Sequence, residues 1–222
     1  VTTWAGEISA ALAIRPFAHR TWTDRPFLQA SLVTDVDEDG RLDLIYTWEG
    51  IAKGTGGVYW LRLSGDDLLD PPHWQDHVLV QHESAWWLAP GRVDLNGNGR
   101  ATDIVFTARN IQQRNPSARP GVFWLEAPPE VFSTWKRHTI DDSLKHPLHV
   151  DFGDLSGNGH GQDLVVGGFE TQHLYWYSFS DNWKRTDLPL PMLDDLQPDK
   201  VWNVKTARFH AQRDGILAPV NR

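Results

Sequence analysis

The apolar residues of this chain fall in short runs rich in Val, Leu, Tyr, Phe and Trp, separated by clusters of Gly, Asn, Asp and Ser. Val58-Tyr59-Trp60-Leu61, Val122-Phe123-Trp124-Leu125 and Leu174-Tyr175-Trp176-Tyr177 are three such runs. Runs this short, bounded by turn-forming residues, predict β-strands. No stretch keeps a long helical period. Residues 5–14 suit a helix or a strand equally well.

The strand-like runs recur in a fixed order. An acidic segment opens each copy: Asp35-Val-Asp37-Glu-Asp39-Gly40-Arg41-Leu-Asp43, then Asp94-Leu-Asn96-Gly-Asn98-Gly99-Arg-Ala-Thr-Asp103, then Asp154-Leu-Ser156-Gly-Asn158-Gly159-His-Gly-Gln-Asp163. The opening aspartates stand 59 and 60 residues apart (35 to 94, 94 to 154). A Trp-centred run follows each segment, and then a Trp-x-x-polar step: Trp74-x-x-His77, Trp135-x-x-His138 and Trp183-x-x-Thr186. In the third copy the expected strands are His149–Phe152, Asp163–Phe169, His173–Phe179 and Trp183–Leu188.

Four-stranded units repeating at this period predict an all-β protein, a β-propeller of about four blade-equivalents of four antiparallel strands each. The copies run roughly over residues 26–82, 83–143 and 144–192. A single blade cannot bury both its faces, so neighbours must stack. Trp60, Trp124 and Trp176 are therefore expected in the packing between blades. Residues 193–222 read as the start of a fourth copy and residues 1–25 as the end of one. Together they form a composite fourth blade that closes the ring, within one chain or between two, unless the segment belongs to a larger ring.

The acidic segments have the chemistry of calcium loops. Calcium takes six to eight oxygens, several of them carboxylate, from a tightly turned chain. In the first loop Asp35, Asp37 and Asp39 supply side chains, Arg41 its carbonyl, and Asp43 closes the site. Gly40 lets the backbone reverse. An EF-hand is excluded, because that loop needs a Glu at position 12 and a following helix. Tyr46, Val105 and Val165 stand there instead. The second set is Asp94, Asn96, Asn98 and Asp103, and the third is Asp154, Ser156, Asn158 and Asp163. Each of these has two carboxylates against four in the first, so Ca²⁺ affinity is expected to fall after the first loop. The alternative for all three is a metal-free turn in which side chains cap backbone N–H groups.

With these loops, each followed by Asp-[Leu/Ile]-[Ile/Val], the chain resembles the FG-GAP/VCBS repeat family of calcium-loop β-propellers over roughly residues 20–220. The resemblance implies the propeller fold and bound calcium. Its members include adhesion propellers, sugar-binding lectins and propeller domains of sugar-processing lyases and dehydratases. The Asn and Ser substitutions in loops two and three depart from the acidic pattern.

Composition narrows the function. The formal charge is −8, from 21 Lys and Arg against 29 Asp and Glu, which argues against a nucleic-acid partner held through phosphates. No apolar run approaches the length of a membrane span. Cysteine is absent, so disulfides, thiolate nucleophiles and Cys-based zinc sites are excluded. No Gly-x-Ser-x-Gly, His-Glu-x-x-His or phosphate-binding Gly-rich motif occurs. His82, His146 and His149 precede the second and third loops and could meet in a central channel, which would suit a metal-dependent sugar lyase or dehydratase.

A non-enzymatic module that binds carbohydrate or protein, extracellular or periplasmic, is the preferred reading. Trp48, Trp87 and Trp202 lie outside the repeated Trp positions and are candidates for a ligand surface. Arg114 and Arg119 sit on a polar insertion suited to partner contact. A structural role in a homo-oligomer or a larger complex is the third possibility.

Overall fold

A computed structural model describes residues 28–49, 56–65, 74–89, 91–109, 119–159, 161–168, 173–189, 205–210 and 213–217. Fourteen strands occur among them. The first sheet is a meander of β1 (Leu28–Thr34), β2 (Asp43–Trp48), β3 (Gly57–Leu63) and β4 (Trp74–Gln81). The second contains β5 (Ala85–Leu88), β6 (Ile104–Ala108), β7 (Gly121–Glu126) and β8 (Lys136–Asp141). The third contains β9 (Pro147–Gly153), β10 (Asp163–Gly168), β11 (His173–Ser178) and β12 (Lys184–Pro189). The hairpin of β13 (Lys205–His210) and β14 (Arg213–Leu217) follows. All pairings are antiparallel. One 3₁₀ turn, Phe179–Asp181, is the helical element in this set. No helix among the described residues is long and apolar enough to cross a membrane.

The three four-stranded sheets share one register. Ile45 pairs with Trp60 and Trp60 with His77. Val105, Trp124 and His138 form the same rung in the second sheet, and Val165, Trp176 and Thr186 in the third. The Trp–His pairs stack, with ring centroids 4.7 Å apart for Trp60–His77 and 4.0 Å for Trp124–His138. The Trp-x-x-polar step therefore places its polar residue beside the strand-three tryptophan. One expected boundary shifts. Trp183 lies before β12, in a left-handed turn with Asn182 (φ 61° and 53°), after the 3₁₀ segment has reversed the chain.

The sheets pack in series through their first strands. β5 lies against β1 and β2, β9 against β5 and β6, and β13 and β14 against β9. Two apolar cores result. Ile45, Val58 and Trp60 of the first sheet meet Phe106, Phe123 and Leu125 of the second. Val105, Val122 and Trp124 of the second meet Val150, Leu164 and Val166 of the third. Along β7, Phe123 and Leu125 face one core while Val122 and Trp124 face the other. A sheet covered on both faces needs apolar residues at every position, not at alternate ones. That is why Ile104–Phe106 and Gly121–Leu125 read as unbroken apolar runs.

A repeated polar link supplements the cores. The buried Thr47 hydroxyl donates to the Trp86 carbonyl of β5 at 3.1 Å, and the Thr107 hydroxyl donates to the Leu148 carbonyl of β9 at 2.6 Å. Both threonines stand four residues after a closing aspartate, and each bonds the first strand of the next sheet. The expected composite fourth blade spans residues 193–222 and 1–25, of which only 205–210 and 213–217 are described. Lys205–His210 and Arg213–Leu217 pair antiparallel beside β9.

Candidate functional site

The three acidic segments fold into the same turn. In each, the opening aspartate accepts the backbone N–H groups four and five residues on. Asp35 takes Asp39 and Gly40 at 3.1 and 2.9 Å, Asp94 takes Asn98 and Gly99 at 3.1 and 2.8 Å, and Asp154 takes Asn158 and Gly159 at 2.8 and 2.9 Å. The sixth position is left-handed every time, with φ of 86° at Gly40, 83° at Gly99 and 82° at Gly159. Glycine is favoured there because a side chain would clash with its own backbone. The fourth position is left-handed too, filled by Gly97 and Gly157 but by Glu38 in loop one.

Each closing aspartate joins the turn to its sheet. Asp43 accepts the N–H of Val36 at 3.1 Å and of Leu63 at 2.9 Å. Asp103 accepts those of Leu95 and Ala127 at 2.9 and 3.1 Å. Asp163 accepts those of Ser156 and Phe179 at 2.7 and 3.1 Å. One carboxylate thus ties the start of the turn to the end of the third strand. All three are buried. Burial pushes the Asp43 and Asp103 carboxyls above their ordinary value, against the pull of their backbone donors.

The turns lie side by side along one end of the sheets. Arg92 donates to the backbone carbonyl of Asp35 at 2.6 Å, Arg100 pairs with Glu38 at 2.7 Å, and the Gln162 amide donates to the carbonyl of Asp94. Each later turn therefore reaches back to the one before it.

Their capacity for a cation differs. Asp35, Asp37 and Asp39 each bring a carboxylate oxygen within 4.8 Å of the others, the one such His/Cys/Asp/Glu group of three or more among the described residues. The Asp37 side chain is 4% exposed, and its Oδ1 is buried with no hydrogen-bond partner. A buried carboxylate oxygen without a donor is costly unless a cation completes it, so the donor set of loop one could hold a metal ion. Loop two uses its polar side chains on the turn itself. Asn96 Oδ1 accepts the Asn98 N–H at 3.0 Å, and Asn98 Oδ1 accepts the Arg100 N–H at 2.7 Å. Ser156 and Asn158 are exposed.

Loop one also holds an arginine that the sequence pattern did not flag. From β3, Arg62 Nε donates to Asp37 Oδ2, and its Nη2 donates to Asp39 Oδ2 at 3.0 Å. Arg41 adds a bond to the same Asp39 oxygen at 2.8 Å. The bond to Asp37, above all, holds the Arg62 guanidinium above its ordinary pKa.

The other predicted residues scatter. Trp87 on β5 is half-buried and meets His149 of β9 edge-on, with ring centroids 4.2 Å apart. It lines an open cleft of about 500 Å³ with Leu28, Gln29, Ser31 and Tyr46. Trp48 is half-buried against Tyr59 at 6.3 Å. Arg119 is exposed just before β7, with its charge felt at Glu83. Arg114 and Trp202 lie outside the described residues. His82 is exposed after β4, His146 is half-buried before β9, and His149 is buried within it. These three histidines do not form a group with ligand atoms within 4.8 Å. No family model matches the chain, and no curated protein matches it.

Proposed function

We propose that this chain is a calcium-loop β-propeller of the FG-GAP/VCBS kind, acting as a non-enzymatic module that binds carbohydrate. Three matched sheets stacked in series through their first strands support the ring. The orphaned Asp37 oxygen within the Asp35–Asp37–Asp39 group supports calcium in loop one, with the Arg41 carbonyl as a further oxygen donor; Asp43 instead spends both oxygens on the N–H groups of Val36 and Leu63.

The observation that carries the binding reading is the cleft between β1, β2 and β5. Its wall presents the half-buried Trp87 ring, with the polar Gln29 and Ser31 at its margin. An aromatic face beside a few polar groups is the arrangement that sugar sites use. A glycan array on the wild-type protein, followed by calorimetric titration of Trp87→Ala, tests it. The expected result is a glycan retained by wild type and lost by the variant, with an unchanged circular dichroism spectrum. Binding that Trp87→Ala leaves intact, or a wild type that retains no glycan, overturns it.

A further inference from the structure

We infer that Arg62 is a built-in cation of loop one, holding the metal-binding turn together without metal and competing with calcium for it. The inference rests on the calcium reading above and concerns how that site is regulated. Arg62 sits on β3, two residues after Trp60. The matched residues in the other sheets are Glu126 and Ser178, two after Trp124 and Trp176. The same strand position thus presents a cation to the loop with four carboxylates and an acid to loop two, while the Ser178 hydroxyl pairs with that of Ser180. Glu126 reaches its loop in the same way, 3.4 Å from the Asn96 amide.

The contacts of Arg62 are those a cation replacing a metal would make. Its guanidinium bonds both Asp37 and Asp39, two of the three carboxylates that converge there, and its side chain is 19% exposed. An arginine bonding two carboxylates in a partly buried site is a strong charge-assisted contact. It leaves to an incoming ion Asp37 Oδ1 and the remaining lone pairs of the Asp35 carboxylate, whose oxygens already accept the Asp39 and Gly40 N–H groups. A divalent ion that recruits Asp37 and Asp39 must share their oxygens with a guanidinium or expel it, and the repulsion between the two cations favours expulsion. Loop one is then ordered at low calcium and gains an ion only as Arg62 leaves. In wild type its four acids therefore give a weaker site than their number suggests.

Calcium titration calorimetry on wild type and Arg62→Gln, with melting curves in chelator and in calcium, tests this. Gln keeps much of the side-chain bulk and removes the charge. The expected result is calcium affinity about tenfold or more higher in Arg62→Gln. The variant should also melt lower than wild type in chelator and recover in calcium. Equal affinity in the two proteins would overturn the role of Arg62 and leave the calcium reading standing. No calcium binding by either protein would overturn both. A direct readout in wild type needs no variant: the Arg62 Nε–H resonance should move to the position of a free arginine as calcium saturates. Saturation with that resonance unmoved would also overturn the inference.

Discussion

Replacing Asp103 by alanine isolates the carboxylate that joins the second turn to its sheet. The side chain is fully buried and accepts the N–H groups of Leu95 at 2.9 Å and Ala127 at 3.1 Å. Removing it strands both donors. A buried donor left unsatisfied costs about 1–3 kcal/mol. The bond to Leu95 is buried and carries the higher figure; the bond to Ala127 is partly buried and carries the lower, because water can reach it. Relief of the desolvated carboxylate, whose burial raises its pKa, offsets part of the loss. The net expectation is a loss of about 2–4 kcal/mol. Urea unfolding of wild type and Asp103→Ala in chelator, at neutral pH, measures it. Chelator matters, because Asp103 holds the turn through backbone donors and needs no metal to do so. A loss below about 0.5 kcal/mol, the level of an ordinary surface change, would refute the reasoning.

Glu38→Gly should raise the thermal midpoint by about 2 °C, because Glu38 holds the left-handed position that Gly97 and Gly157 fill in the other turns and the exposed ion pair with Arg100 that it loses contributes little; a lowered midpoint in differential scanning calorimetry would count against the equivalence of the turns. Gly57→Ala should cost about 2 kcal/mol or more in urea unfolding, since the added methyl meets the Val80 carbonyl oxygen where β3 passes β4; a neutral result would contradict the close packing there. Asp141 gives a pH test. Burial raises its carboxyl, but donors from Ser143, Tyr177 and Arg185 outweigh burial and hold it below its usual value. Its contribution to stability is therefore complete above the unfolded pKa of about 3.9 and is lost as pH falls toward the lower folded value. Asp141→Asn should flatten the acid limb of stability below about pH 4, and an unchanged limb would exclude the effect.

Much of the fold was legible because each sheet repeats the same local demands. The turn residues, the Trp-centred strand and the paired polar residue recur in order, and the rungs Ile45–Trp60–His77 and Val105–Trp124–His138 put them where that order implies. The loop aspartates were legible for the same reason, because a tight turn brings alternate side chains inward. Arg62 was not, since it lies on another strand and nothing in its local sequence marks it as facing Asp37. The Thr47 and Thr107 links were hidden likewise, because a threonine inside an apolar strand reads as ordinary strand chemistry until a neighbouring sheet supplies the carbonyl. The left-handed role of Glu38 was present in its alignment with Gly97 and Gly157, yet glutamate carries no turn signal of its own.

The proposed ring is tested most directly by the distances between the turns. The chain has no cysteine, so paired nitroxide labels at Asp39, Asn98 and Asn158, matched and exposed turn positions, report three distances by pulsed electron resonance. A ring of four units predicts equal distances for the 39–98 and 98–158 pairs, and a 39–158 distance about 1.4 times that step. Unequal steps, or a 39–158 distance near about twice the step as in a straight stack, would contradict the ring.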